Sequence, residues 1–104
     1  LGWEELRLAA RDPDLTIGAH TVTHPMLAKH ADATAQREIT ESAARITREL
    51  GRPVRHFAYP VGDPTSAGPR DFALVREAGF TTAVTTRPGH LFPAHSRRLE
   101  ALPR

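Results

Sequence analysis

The chain has 104 residues, no cysteine, 14 basic and 12 acidic side chains and a formal net charge of +2. A chain of that length holds at most one domain, and the lack of cysteine excludes disulfides and thiolate metal sites. Its interspersed charges show none of the one-sided basic clustering of a nucleic-acid surface. No run approaches the roughly 20 apolar residues of a membrane span, so no span is expected in these residues.

The first element is a helix-like run from Trp3 to Arg11, with Trp3, Leu6, Leu8 and Ala10 as its apolar members. Because the chain opens on Leu1 and is helical almost at once, it is expected to begin partway through a domain, with one or more strands preceding it. Next, Leu15, Ile17 and Ala19 alternate with Thr16 and Gly18, which predicts a strand. That strand delivers His20 and His24 to a loop, since Pro25 disfavours helical geometry at the residue before it. A helical two-histidine protease site is excluded, because Thr21 stands where such a site needs Glu and the β-branched Val22 and Thr23 follow.

Two neutral imidazoles suit zinc and its first-row neighbours, but a catalytic zinc takes three protein ligands and keeps one position open. From spacing alone, His20 and His24 read equally as metal ligands or as polar loop residues.

The clearest helix is expected over Asp32 to Leu50, where Ile39, Ala43, Ile46 and Leu50 repeat along one face. Asp32 or Thr34 suits its first free N–H groups, Glu41 precedes Arg45 in the favourable order, and Gly51 suits the left-handed position after the last turn. Its charged face reads as solvated, and His30 falls in the loop before it. Val54 to Tyr59 predicts a strand with His56 inside it. The Pro- and Gly-rich Pro60 to Pro69 is long, at about ten residues, for a strand-to-helix connection. Arg70 to Ala78 predicts a helix with Phe72, Val75 and Ala78 on one face, ending at Gly79. Phe80 to Thr86 predicts a strand stopped by Arg87-Pro88-Gly89. The tail reads as loop with one turn or short strand.

Alternating helices and strands indicate an α/β fold with a parallel sheet, either half a barrel or part of an open sheet, with ligands at the C-terminal strand ends. If the first two strands are neighbours, the histidine loop and the Pro60 loop share one rim.

Three segments together carry a resemblance: H-T-V-T-H-P from His20 to Pro25, F-A-Y-P-V-G from Phe57 to Gly62, and a helix ending in Ala78-Gly79-Phe80 before T-A-V-T-T. They resemble the polysaccharide deacetylases, the carbohydrate esterase family sharing the NodB-homology domain, over nearly the whole chain. The resemblance implies that residues 1–104 are a single partial domain, part of a distorted TIM-like (β/α) barrel without the first Asp-containing motif. It implies that His20 and His24 bind a divalent metal, usually zinc, while Thr21 supports their loop by hydrogen bonding. Pro60 and Gly62 match the family's third motif, in which the N–H of Val61 is the expected donor to the oxyanion. Tyr59 reads as a sugar-stacking or a core residue, with packing favoured by its strand setting, and Gly62 to Pro69 as a wall of a glycan groove.

The implied activity is metal-dependent release of acetate from an acetylated polysaccharide containing N-acetylglucosamine, in an extracellular or cell-envelope setting. No nucleic-acid partner is implied. The family's aspartate pair, which supplies a metal ligand and the base, has no counterpart here. Asp12 and Asp14 flank Pro13 before the wrong strand. Ala58 stands where many members carry Arg, Val61 where an aromatic is common, and neither His90 nor His95 has the setting of the family's general acid. Arg104 ends a Leu-Pro-Arg run that members often show. Ala58 and Val61 support the alternative of a non-catalytic, glycan-binding relative, and the isolated chain, without the aspartate pair, is expected to be inactive or nearly so.

Overall fold

The computed structural model describes residues 1–104. In chain order they form helix α1 (Trp3–Ala9), a 3-10 turn (Leu27–Lys29), helix α2 (Asp32–Leu50), strand β1 (His56–Ala58), helix α3 (Pro69–Glu77) and strand β2 (Thr82–Val84). Two further 3-10 turns, Pro93–Arg97 and Leu99–Ala101, close the chain.

β1 and β2 pair in parallel, His56 opposite Thr82 and Ala58 opposite Val84. Single parallel bridges extend the ladder on both sides, Ala19 to Phe57 and Val84 to Leu102. Four successive chain segments therefore lie side by side in sequence order, joined by α2, by α3 and by the two closing 3-10 turns, the arrangement of a barrel wall.

The strand expected over Leu15 to Ala19 contracts to that single bridge. Ala19 N–H donates to His56 O at 2.8 Å and Ala58 N–H donates to Ala19 O at 3.0 Å, while Leu15 remains 49% exposed. Gly18 lies so close to β1 that a Cβ there would stand 3.0 Å from His56 O. The strands expected over Val54 to Tyr59 and Phe80 to Thr86 likewise shorten to three residues each. Their period-2 pattern still operates: Phe57 and Tyr59 are buried on one face, as are Ala83 and Thr85, while His56, Ala58, Thr82 and Val84 alternate onto the other.

Helices cover the buried face. Ala35, Ile39 and Ser42 are the buried positions of α2, with Ile46 packed beside them, and Ser42 Oγ satisfies itself by donating to Ile39 O. Leu50 and Ala43, expected on that face, lie only half-buried at its edge. Phe72 and Val75 of α3 meet the same core, whereas Ala78 is exposed. Phe57 touches Tyr59 and Phe80, each with ring centroids 5.2 Å apart, and Tyr59 meets Phe72 at 5.3 Å. Each such buried apolar side chain contributes about 1.5–3 kcal/mol relative to exposure.

Helix ends follow their residues with one exception. Gly51 takes the left-handed position, at φ 72°, and its N–H donates to Thr47 O. At the other end Ala31, not Asp32 or Thr34, is the N-cap of α2, and no side chain caps it. Asp32 instead turns outward to accept from Arg70 Nη1 at 2.7 Å.

Candidate active site

The histidine segment leaves the sheet at Ala19 and turns sharply. Thr21 and His24 both adopt positive φ, 67° and 60°, a conformation uncommon outside glycine and still rarer for a β-branched residue. Thr21 Oγ1 holds the turn, donating to His20 O at 2.5 Å and accepting from His24 N–H at 3.1 Å. The His20 and His24 rings consequently stand 4.8 Å apart between centroids, nearly edge to face at 68°.

His20 Nδ1 lies 2.7 Å from Ala58 O. A carbonyl oxygen can only accept, so Nδ1 carries the proton and Nε2 is left with its lone pair. This is the tautomer a metal ligand needs, fixed by a backbone carbonyl of the neighbouring strand. The His24 ring is exposed and carries no hydrogen bond within the chain. The donor chemistry therefore fits a divalent metal with two imidazole ligands. No third His, Cys, Asp or Glu joins them.

β1 ends beside this turn. Gly62 N–H donates to Pro60 O at 2.6 Å, a three-residue γ-turn with Val61 at its centre and φ 62°. That turn directs the Val61 N–H outward: it meets no acceptor in the chain, and the residue is 41% exposed. Thr86, just past β2, fastens the loop, its Oγ1 donating to Val61 O at 2.6 Å and its N–H to Gly62 O at 3.0 Å. Gly62 itself is at φ 76°, and a Cβ there would stand 2.9 Å from Thr86 N and 3.1 Å from Tyr59 O.

His20, His24, Val61, Thr86 and Arg104 line one open cleft of about 340 Å³. The shared rim expected from sequence is thus formed. Pro60 is buried under it and shapes the γ-turn without facing the cleft. Tyr59 is only 2% exposed and its hydroxyl donates to Glu100 O at 2.6 Å, so its ring has no free face for a sugar. Burial, with Asp71 and Glu100 nearby, holds its phenol far above the ordinary tyrosine range.

Gly62 to Pro69 is a tied turn. Asp63 Oδ1 accepts from Thr65 N–H, Thr65 Oγ1 and Ser66 N–H at 2.8–3.0 Å, which keeps its carboxyl below the usual range. Ser66 and Ala67 are buried, and Ser66 O accepts from Ala28 N–H, tying this loop to the turn that follows the histidines.

Other candidates lie elsewhere. Asp12 caps Asp14 N–H beyond α1, with Asp12 lining a separate depression beside Arg52 and Arg55. His95 Nδ1 accepts from Phe92 N–H within its own turn, His56 Nδ1 contacts Thr82 Oγ1 at 2.7 Å, and His30 ends the first 3-10 turn.

Sequence reading missed Glu38. Its Oε2 accepts from Val22 N–H at 2.8 Å and Thr23 N–H at 2.9 Å, and its Oε1 accepts from Thr23 Oγ1 at 2.7 Å. Partial burial raises its pKa, but the hydrogen bonds from Thr23 and Val22, with Arg37 nearby, outweigh that and leave it below the ordinary glutamate value. The charged face of α2, expected to be solvated, therefore grips the histidine turn through Glu38.

The model of the polysaccharide deacetylase family matches residues 2–83, which include both the histidine turn and the Pro60 loop. The chain belongs to the polysaccharide deacetylase family. Among solved structures, the Streptococcus pyogenes deacetylase PplD in complex with acetate superposes with a TM-score of 0.88 at 21% identity, over 100% of this chain and 43% of that one. A Bacillus cereus polysaccharide deacetylase gives 0.85 at 22% over 100% and 31%, and the deacetylase domain of BpsB from Bordetella bronchiseptica 0.86 at 17% over 100% and 48%. No curated protein matches the chain. The chain spans less than half the length of each of those structures, and its fold is the corresponding part of their α/β fold.

Proposed function

We propose that this polysaccharide deacetylase chain carries the metal-binding turn and the oxyanion donor of a hydrolase that removes acetyl groups from an N-acetylglucosamine-containing polysaccharide. The observation that carries the reading is a juxtaposition. A histidine whose tautomer leaves Nε2 free, a second histidine beside it and an unengaged backbone N–H share one cleft.

His20 and His24 would hold a divalent metal such as zinc, which would supply an acidified water as nucleophile and polarise the acetyl carbonyl. Two imidazoles with an added carboxylate accept zinc, cobalt, nickel or iron, so availability selects among them. The third ligand and the base are proposed to be aspartates outside residues 1–104. The Val61 N–H donates to the oxygen that becomes negative as the tetrahedral centre forms, an interaction worth about 2.7–4 kcal/mol per donor. Thr21 holds the histidines and Thr86 holds the Val61 loop, so both parts are in place before substrate arrives. Acetate and a free amine are the products, and a glycan of that kind points to an extracellular or cell-envelope location.

Ala58 favours a second reading, a glycan-binding relative without turnover, because its methyl cannot supply the cation that many members place there. The deciding experiment is acetate release by the full-length protein from an acetylated chitin oligomer, with and without added zinc. Zinc-dependent acetate that disappears in His20→Ala and His24→Ala supports the hydrolase. A folded protein that binds zinc and the oligomer yet releases no acetate establishes the binding relative.

A further inference from the structure

The segment between the two histidines makes almost no hydrogen bonds to the sheet that precedes it. Thr21 Oγ1 links its two ends, but the donors at its centre, the N–H groups of Val22 and Thr23 and the Thr23 hydroxyl, all terminate on the Glu38 carboxylate. Glu38 projects from α2 directly beside Ile39, which is fully buried, and one turn after Ala35, also fully buried. The carboxylate is thus anchored to a helix packed in the core, while the turn it grips contains positive φ at Thr21 and His24. A conformation of that kind persists only where its surroundings fix it.

We propose that Glu38 is a positioning residue for the metal site: by holding Val22 and Thr23 it sets the separation and orientation of the His20 and His24 imidazoles. This rests on the reading of those histidines as metal ligands. Glu38 hydrogen-bonds to Val22 and Thr23 but to neither ring, and it does not line the cleft, so its effect passes through the backbone of the turn. The geometry also says which substitutions matter. The amide oxygen of Gln takes the place of Oε2 for both N–H groups, and its amide N–H can donate to Thr23 Oγ1, whose hydroxyl rotates. Asp keeps the charge but withdraws the carboxylate by one methylene. Ala leaves three donors without a partner.

The test is made on the full-length protein, with zinc affinity measured by competition against a chromophoric chelator and backbone amide exchange followed at Val22 and Thr23. Arg45→Ala, which breaks the Arg45 to Glu49 pair on the same helix far from the turn, serves as the control for helix stability. Glu38→Ala and Glu38→Asp are expected to weaken zinc binding about 10- to 100-fold and to speed exchange at both amides. Glu38→Gln and Arg45→Ala should stay near the parent in both. If Glu38→Ala does not fold, the comparison of Asp with Gln decides, since a purely electrostatic role reverses their order and overturns the proposal. Zinc bound equally by the parent, the Ala and the Asp variants overturns it too. A parent that binds no zinc overturns the ligand reading of His20 and His24 instead, while amide exchange still shows whether Glu38 holds the turn.

Discussion

Val61 places a β-branched side chain at φ 62°, and Gly62 follows at φ 76°, so two consecutive residues depart from the usual backbone regions. The strain at Val61, about 1–3 kcal/mol, orients an N–H toward the cleft. Val61→Gly should therefore leave the melting temperature unchanged or higher and retain acetate release. Replacing the Val61 amide by an ester, through incorporation of the α-hydroxy acid, should lower kcat about 10²- to 10³-fold. Gly62 tolerates no such exchange. In Gly62→Ala the new methyl meets Thr86 N at 2.9 Å. The expected loss is about 1–3 kcal/mol. At about 4–8 °C per kcal/mol a shift in thermal unfolding reads it directly, and an unchanged melting temperature would contradict the close approach. Glu38 adds a pH dependence. Its carboxyl is held below 4.5, so its contribution is fully present above that ordinary value and is lost as pH falls through the lower folded value. The stability difference between parent and Glu38→Ala should be constant at neutral pH and shrink below about pH 4. The histidine pair, Thr21 and the Pro60 to Gly62 run were legible because their chemistry lies in contiguous residues. Glu38 was not, because a partly exposed glutamate among Arg37 and Glu41 looks like any solvated helix position until the fold brings it against Val22 and Thr23.

Between elements, the first turn of α3 joins what the sequence separates. Arg70 Nη2 donates to Leu27 O at 2.7 Å, and its Nη1 donates to His30 O at 3.0 Å and to Asp32 Oδ1 at 2.7 Å. One guanidinium thus closes the end of the 3-10 turn and the start of α2. Beside it Asp71, 1% exposed, accepts from Gly68 N–H through Oδ2 at 2.9 Å while its Oδ1 lies 2.9 Å from Arg70 Nη2 without an aligned hydrogen bond. Asp71→Ala removes the cap of α3 and the charge that steadies Arg70. The expected cost is about 1–3 kcal/mol, read as a lower urea midpoint with an unchanged slope. These contacts explain where helix prediction succeeded and failed. Periodicity located α2 and α3 within a residue or two, because each buries one stripe. Ala31 rather than Asp32 is the N-cap of α2, and the Asp32 carboxylate is engaged by Arg70 of another helix, a partner that local sequence does not reveal. Strands were overestimated for a related reason: β-branched composition marks where a strand can form, but pairing with neighbours decides how far it extends.

At the scale of the whole molecule, the four parallel segments present two faces with different fates. Phe57, Tyr59, Ala83 and Thr85 are sealed by α2 and α3, whereas His56, Ala58, Thr82 and Val84 are only half-buried on the opposite face. The cleft opens at the end of this wall where Ala19, Ala58 and Val84 stop, as expected for a parallel α/β arrangement, in which strand ends and the loops after them carry the chemistry. What the wall contributes is therefore a rim: two imidazoles, one backbone donor and the residues that fix them. Such groups act as a unit, and catalysis falls steeply when members are missing. Residues 1–104 bring two imidazoles, the proposed metal donors, and no carboxylate to the cleft. Alone they are expected to release no measurable acetate from an acetylated chitin oligomer, even at saturating zinc. The same residues within the full-length protein should turn over. A rate for the isolated chain comparable to that of the full-length protein would mean that a base and a third ligand are recruited from within these 104 residues. Asp12 and Asp14 could not serve without dismantling the turn beyond α1. Such a result would thus replace the proposed aspartates with a rearranged fold rather than a modified site.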